Sequence, residues 1–485
     1  MPHINERFDM TTLHSADERT GMHVASSFAE QIGQFVAAEH ELDVTNEEWM
    51  RLLHLDYAAV VFGGANRSSA LAVRHAVETS SERGRWTPSS VVAGKGRPSF
   101  ASAESAALVN GTIAHGLELD DTFEEGSTHP AVVIFPALFA VAEEEDISYR
   151  RLLVAAAVGY EVMCRVAVLL GAAESYGRGF HPTGVSGAIG AAAAVANLLG
   201  LSVGESTNAV AISANITAGS LEFLSDGSWT KRLNAGNAAA QGIRAARLAQ
   251  AGFDAPDSAI EGTNGFLKQY GHGEQQRTLK LEFGTAARET SIKFYPCCRY
   301  MHGNIDLLRQ IHAEYPDLNP DEICRIDAAV ISAGAGLVSE PAERKLHVNT
   351  AVDAQFNMPF GAALAIHTGQ ASVADFDDAP VVAQRYANTM AKVQCYTDER
   401  IEENYPAVWQ SRVKVVMNDG TEIERFEDAF VGSASKRASW EQIVEKARGL
   451  IGEGCAHEMA EYVRGLCLDS PAALGPSALG VPSTS

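Results

Sequence analysis

A chain of 485 residues, 46% of them hydrophobic, can bury a large interior, and one core rarely grows beyond roughly 250–300 residues, so two domains are expected. A formal net charge of −23 argues against nucleic acid as a partner, because phosphate binding needs a basic face. The seven cysteines are odd in number, scattered and without a CxxC, which argues against a disulfide framework or structural zinc and points to a reducing, cytoplasmic setting.

Residues 1–24 are polar, carry charges of both signs and lack the apolar stretch of a secretory signal, so a flexible N-terminal arm is expected. Across 25–275, Leu and Ala recur every three or four residues with Gly or Pro between the runs, which predicts an all-helical domain. Helices are predicted over 23–39, 46–64, 104–123, 186–201 and 235–253. The apolar run 151–173 is interrupted by Glu161 and Arg165, so it reads as a buried core helix and no membrane partner is expected. No strand–helix alternation and no GxGxxG suggests a nucleotide fold.

From 276 to 438 the texture changes. TLKLEFG (278–284), RIDAAVISAGAG and SRVKVVMNDGTEIERFEDAF alternate or carry β-branched runs, and Asn418-Asp419-Gly420 marks a hairpin turn. With helices over 303–315 and 354–369, this predicts a smaller α+β domain. Residues 439–472 return to helix and are expected to rejoin the first domain, and the Pro/Gly/Ser-rich 473–485 to form a disordered tail. The fold class is therefore mainly α.

Four stretches carry the polar residues that chemistry would need. In the first, His115, Glu118 and Thr122 fall at helical spacing with Asp121 adjoining and Asp120 pointing elsewhere, and a short loop then delivers His129. In the second, His181 precedes an Ala-rich helix that Thr183 or Ser186 is positioned to cap, and the amide-rich N-terminus of that helix suits a carboxylate. The third sets Lys231 and Arg232 at a helix N-terminus, against the macrodipole, which makes sense if they hold an anion. The fourth offers Lys293, Tyr295, Arg299 and His302, with Cys297 and Cys298 read as packing thiols.

Taken in register, NGTIAHGLELDDT with THP, GFHPTG, KRLNAGNAAAQG with IEGTNGFLKQYG, and IKFYPCCRYMHGNID resemble the MmgE/PrpD family from about residue 25 to 470. The resemblance implies a helical domain with an α+β lid, a homodimer, and catalysis with no metal and no organic cofactor. It places His129, His181, Lys231 and Lys293 around a small polycarboxylate, with Thr122 and the carboxylates Glu118 and Asp121 nearby. Arg232, Tyr295 and His302 complete the candidate substrate-binding set. The sequence departs from characterised decarboxylases of the family at Glu118, where Asp is frequent, at Phe360, where they carry an active-site tyrosine, and at Cys298, where the mammalian-type enzyme has a histidine.

The activity expected on these grounds is that of a lyase dehydrating 2-methylcitrate or a citrate-like acid. Lys231, Lys293 and Arg232 would clamp carboxylates, and one of His129 and His181 would act as base and the other as acid, oriented by Glu118 or Asp121. Decarboxylation of the cis-aconitate type and epimerisation of a dicarboxylate are the enzymatic alternatives. A carboxylate-binding or scaffold protein is the non-enzymatic one.

Overall fold

The computed structural model describes residues 26–80, 89–92, 99–271 and 278–475. The predicted arm and residues 476–485 of the tail lie outside the described residues. The described start of the tail is packed instead of frayed: Leu474 is buried, and its carbonyl accepts from His54 Nε2 at 2.9 Å.

The predicted helices of the first half are present, and their ends are set by side chains that meet orphan amides. Ser27 caps Phe28–Ala37, Asp43 caps Val44–Gly64 and Ser148 caps Tyr149–Leu170. The last of these, with Pro182–Leu199, is long and apolar enough to cross a membrane, but 83% and 94% of their apolar windows are buried inside the protein. Close approach explains the Ala and Gly content. A Cβ on Gly111 would lie 2.7 Å from Gly236 Cα, so Ala103–Ala114 and Thr230–Gln250 touch backbone to backbone there. That contact sets the C-terminal end of one helix beside the N-terminal turn of the other.

Two predicted elements differ. The helix predicted over 104–123 ends at Ala114, followed by a 3-10 turn at His115–Leu117 and Glu118 in the left-handed region (φ 56°). The chain then forms a two-residue ladder in which Thr122 pairs with Ser291 and Phe123 with Thr290, bringing the first and fourth polar stretches together. The TLKLEFG segment is not a strand. Among the described residues no strand pairs with it, and the amides of Glu282 and Ala286 donate instead to the buried Glu161 carboxylate at 3.0 and 2.8 Å.

A second hydrophobic core, separate from the helical one, gathers residues 295–430 around a four-stranded sheet. Its order is Val393–Tyr396, Ile323–Ala329, Ser411–Met417 and Glu422–Glu427, parallel at the first pairing and antiparallel at the others. The predicted hairpin joins the last two strands. Phe223, on the 3-10 turn Glu222–Ser225, joins this second core. Trp440–Ile451 and Glu453–Gly465 return to the helical part, where Ala447 and Ala456 pack on Ala59. Lys446 there donates to Asp56 at 2.5 Å and to the Leu119 carbonyl at 2.6 Å, which ties the turn after His115 to the C-terminal helices.

Candidate active site

The left-handed turn aims Glu118 away from the helix direction and into the seam between the two cores. Such a backbone costs about 1–2 kcal/mol for a residue with a Cβ. Two of the three described non-glycine residues with positive φ, Glu118 and Ser127, line one pocket. There the Glu118 carboxylate is shared by two ammonium groups: Lys231 Nζ donates to Oε1, and Lys293 Nζ donates to Oε2 at 3.2 Å. Lys231 sits in the first turn of Thr230–Gln250, under the ring of Phe356 at 5.1 Å. Lys293 arrives from just beyond the ladder and is fully buried.

Behind this triad lie three imidazoles whose ring centres are 5.0, 5.7 and 6.4 Å apart. His115 donates from Nδ1 to Asp120 Oδ2 at 2.8 Å, and its buried Nε2 has no hydrogen-bond partner among the described residues. His129 donates from Nδ1 to the Asp121 carbonyl at 2.6 Å, and its amide donates to the Thr183 hydroxyl at 3.1 Å. Carbonyls and carboxylates only accept, so in the neutral rings of His115 and His129 the partners assign the proton to Nδ1 and leave Nε2 bare. His181 is the reverse. Asn234 Nδ2, which also donates to the Ser220 carbonyl at 3.3 Å, lies 3.4 Å from His181 Nδ1, which assigns the ring proton to Nε2.

Burial is the largest influence on every one of these groups. It pushes the pKa of His115, His129 and His181 below the ordinary value, and the lysines add to it, so the rings are neutral near pH 7. Burial alone would raise the Glu118 carboxyl, but Lys231 and Lys293 outweigh it and hold Glu118 as the anion. Asp120 is likewise held ionised against burial by His115, His129 and Lys293. Lys293 is raised because Glu118 and Asp120 overcome its desolvation, whereas in Lys231 desolvation prevails and lowers the pKa.

The pocket is completed by Thr122, Tyr176, Leu221, Phe223, Cys298, Arg299, Tyr300 and Leu337. Its free space is about 20 Å³, which holds a water molecule, for which roughly 10–15 Å³ suffices, but no polycarboxylate. A substrate enters only if the walls part.

Of the residues expected from sequence, Glu118, Thr122, His129, His181 and Lys231 line this pocket and Lys293 bonds to Glu118 from behind. The other four are elsewhere. The Asp121 carboxylate accepts from Tyr160 Oη at 2.7 Å and the Ala131 amide at 3.0 Å, and burial raises its pKa to about 8. Asp120, expected to point elsewhere, is the carboxylate that faces His115 and His129, because the helix carrying the assumed spacing has already ended. Arg232 turns to Ser69 at 3.0 Å. Tyr295 bonds to Asp306 and Arg309, lining a different cavity of about 560 Å³. His302 is held by the Cys297 carbonyl at 3.2 Å.

Other expectations also shift. His181, not Thr183 or Ser186, occupies the N-cap of Pro182–Leu199, without a side-chain cap bond. Phe360 packs on Phe376 in the second core, and Phe356 is the ring in the pocket wall. Arg299 of the fourth stretch, outside the candidate set, also lines the pocket: Nε is held by Glu124 at 2.9 Å, and its buried Nη2 has no partner among the described residues. Tyr176 and Phe223 had no local signal.

The chain matches the MmgE/PrpD N-terminal domain over residues 30–279 and the MmgE/PrpD C-terminal domain over 295–468. It is 28% identical to the cis-aconitate decarboxylase-like protein oryM of Aspergillus oryzae, over 66% of this chain and 70% of that protein. It is 26% identical to a cis-aconitate decarboxylase of Aspergillus terreus (75% and 78% covered) and 27% identical to the human cis-aconitate decarboxylase (71% of each). The two domain matches together span most of the described residues, and the chain belongs to the MmgE/PrpD family.

Proposed function

We propose that the protein is a lyase that decarboxylates a small polycarboxylate of the cis-aconitate kind. The observation that carries this reading is His181, whose Nδ1 faces the Asn234 amide so that its ring proton is assigned to Nε2, in one pocket with Lys231, Arg299 and an apolar wall of Leu221, Phe223, Leu337 and Phe356. Lys231 and Arg299 hold two carboxylates. The third, pressed on the apolar wall and deprived of water, leaves as carbon dioxide when its C–C bond breaks. The electron pair passes into the remaining unsaturated acid, where the cations stabilise it, and the His181 proton closes the new C–H bond. The names of the relatives support the same choice.

A second reading, dehydration of 2-methylcitrate or a similar acid, is favoured by the bare Nε2 of His129 beside the protonated Nε2 of His181. Elimination of water needs such a base and such an acid together. The same proposal makes the protein a cytoplasmic homodimer without metal or organic cofactor, which light scattering of the purified protein tests for the dimer.

The experiment is product analysis by NMR in deuterated water with cis-aconitate, 2-methylcitrate, citrate and iminodisuccinate. Carbon dioxide and a deuterated product from cis-aconitate are expected. Water loss from 2-methylcitrate alone replaces the first reading with the second. Thermal stabilisation by these acids without turnover of any replaces both with a carboxylate-binding or scaffold role.

A further inference from the structure

His115, His129 and His181 each offer a ring nitrogen, and these atoms all lie within 4.8 Å of one another. Four-coordinate zinc with Zn–N distances of roughly 2.0–2.1 Å needs nitrogens about 3.4 Å apart, so the widest pair must close by up to about 1.4 Å. For two of the three rings the supporting shell is that of a metal site. A metal-binding imidazole characteristically donates its other N–H to a carboxylate or a backbone carbonyl. His115 does so to Asp120 and His129 to the Asp121 carbonyl. His181 presents the matching lone pair once Asn234 turns its amide so that the oxygen accepts from Nδ1. The second, independent sign is the wholly buried His115 Nε2, left with no partner. Buried polar atoms without partners are rare, and each asks for a missing one.

Nearby charge does not forbid a cation. Glu118 and Asp120 supply two negative charges against Lys231 and Lys293. Neutral nitrogen ligands select a borderline-soft divalent ion over magnesium or calcium, which take oxygen.

We propose that His115, His129 and His181 bind a zinc-like divalent cation and that its occupancy silences the enzyme. The ion takes the lone pair of His129 and forces His181 into the tautomer without an Nε2 proton, removing base and acid together. Zinc so held is an inhibitor and not a cofactor, and the inference rests on the proposed function only for the loss of activity.

The test uses full-length protein stripped with chelator and titrated with Co²⁺ in substrate-free buffer. One equivalent per chain, with the intense visible absorption of four-coordinate nitrogen-ligated cobalt, is expected, and Zn²⁺ should displace it. His115→Ala should abolish the band, and Asp120→Asn, which keeps the ring but weakens its support, should lower the affinity 10–100-fold. The absence of a stoichiometric band overturns the proposal. So does a band unchanged in both variants, or one with thiolate charge transfer from Cys297 or Cys298. In the turnover arm, zinc should reduce the rate in step with occupancy and chelator should restore it, while full turnover at full occupancy overturns the silencing. The cobalt titration needs no substrate, so a wrong choice of acid and a wrong metal site fail separately.

Discussion

Two polar interiors are lined by neighbouring residues of one chain segment, 294–296 for one and 298–300 for the other, and they are built differently. In the first, Tyr295, Asp306 and Arg309, all within fifteen residues, satisfy one another beside an open cavity of about 560 Å³. In the second, Glu118 is bonded to lysines 113 and 175 residues away, and the free space is about 20 Å³. Among the described residues, Arg299 Nη2 in the wall of the tight pocket and His115 Nε2 and Asp120 Oδ1 beside its histidines have no partners. Space alone does not identify a site. Long-range charge pairing with donors and acceptors left over does, because nothing in folding rewards leaving them unsatisfied.

The comparison breaks most sharply at Lys231. Lys231→Met should lower kcat/KM by about three orders of magnitude, equivalent to about 4 kcal/mol, in steady-state assays on protein with unchanged circular dichroism. A loss under tenfold would remove Lys231 from the chemistry. The adjacent aspartates come next. Asp120→Asn should cost about a hundredfold in turnover, since it loosens His115 and His129, while Asp121→Asn should stay within a few-fold.

Asp121→Asn should act instead on stability. Folding raises the Asp121 pKa to about 8, so the native chain binds a proton that the unfolded chain has released. The stability from this proton is fully present below the unfolded value near 3.9 and is lost as pH rises through about 8. Urea titrations should show the variant gaining on the parent from pH 5 to pH 8 by on the order of 3 kcal/mol. A flat difference would mean that Asp121 is already ionised.

Substrate binding should take up protons. The three imidazoles are neutral because of burial and the neighbouring lysines, and a polyanion offsets the lysines and raises their pKa values. Calorimetry in buffers of different ionisation enthalpy should show uptake of a fraction of a proton, with affinity weakening as pH rises. The smallest effect belongs to the open cavity: Tyr295→Phe should change turnover less than threefold, and a larger loss would join the two interiors into one site.

Much of the helical framework was legible because periodicity and caps are local. Apart from residues 115–123, the stretches between Phe28 and Gln250 that repeat every three or four positions do form helices. The stop at Ala114 was not, since His115-Gly-Leu-Glu continues an acceptable helical pattern and only tertiary contacts select the left-handed turn. Asp120 and Asp121 were consequently exchanged in role. TLKLEFG alternates like a strand, but alternation says nothing about whether a partner strand exists. Lys231, Lys293 and the histidines were readable as residue types that chemistry favours. Their meeting depended on the ladder between Thr122 and Ser291, which no local pattern announces.

The glycine contact between Ala103–Ala114 and Thr230–Gln250 bears on how sequence variants of this protein will score. A Cβ at residue 236 would come within 2.1 Å of the Leu108 carbonyl, so even Gly236→Ala wedges the two helices apart. The wedge shifts the turn that begins Glu118 relative to the turn that carries Lys231. Deep mutational scanning would therefore rank Gly111 and Gly236 among the least tolerant positions in an activity screen, although neither meets a ligand.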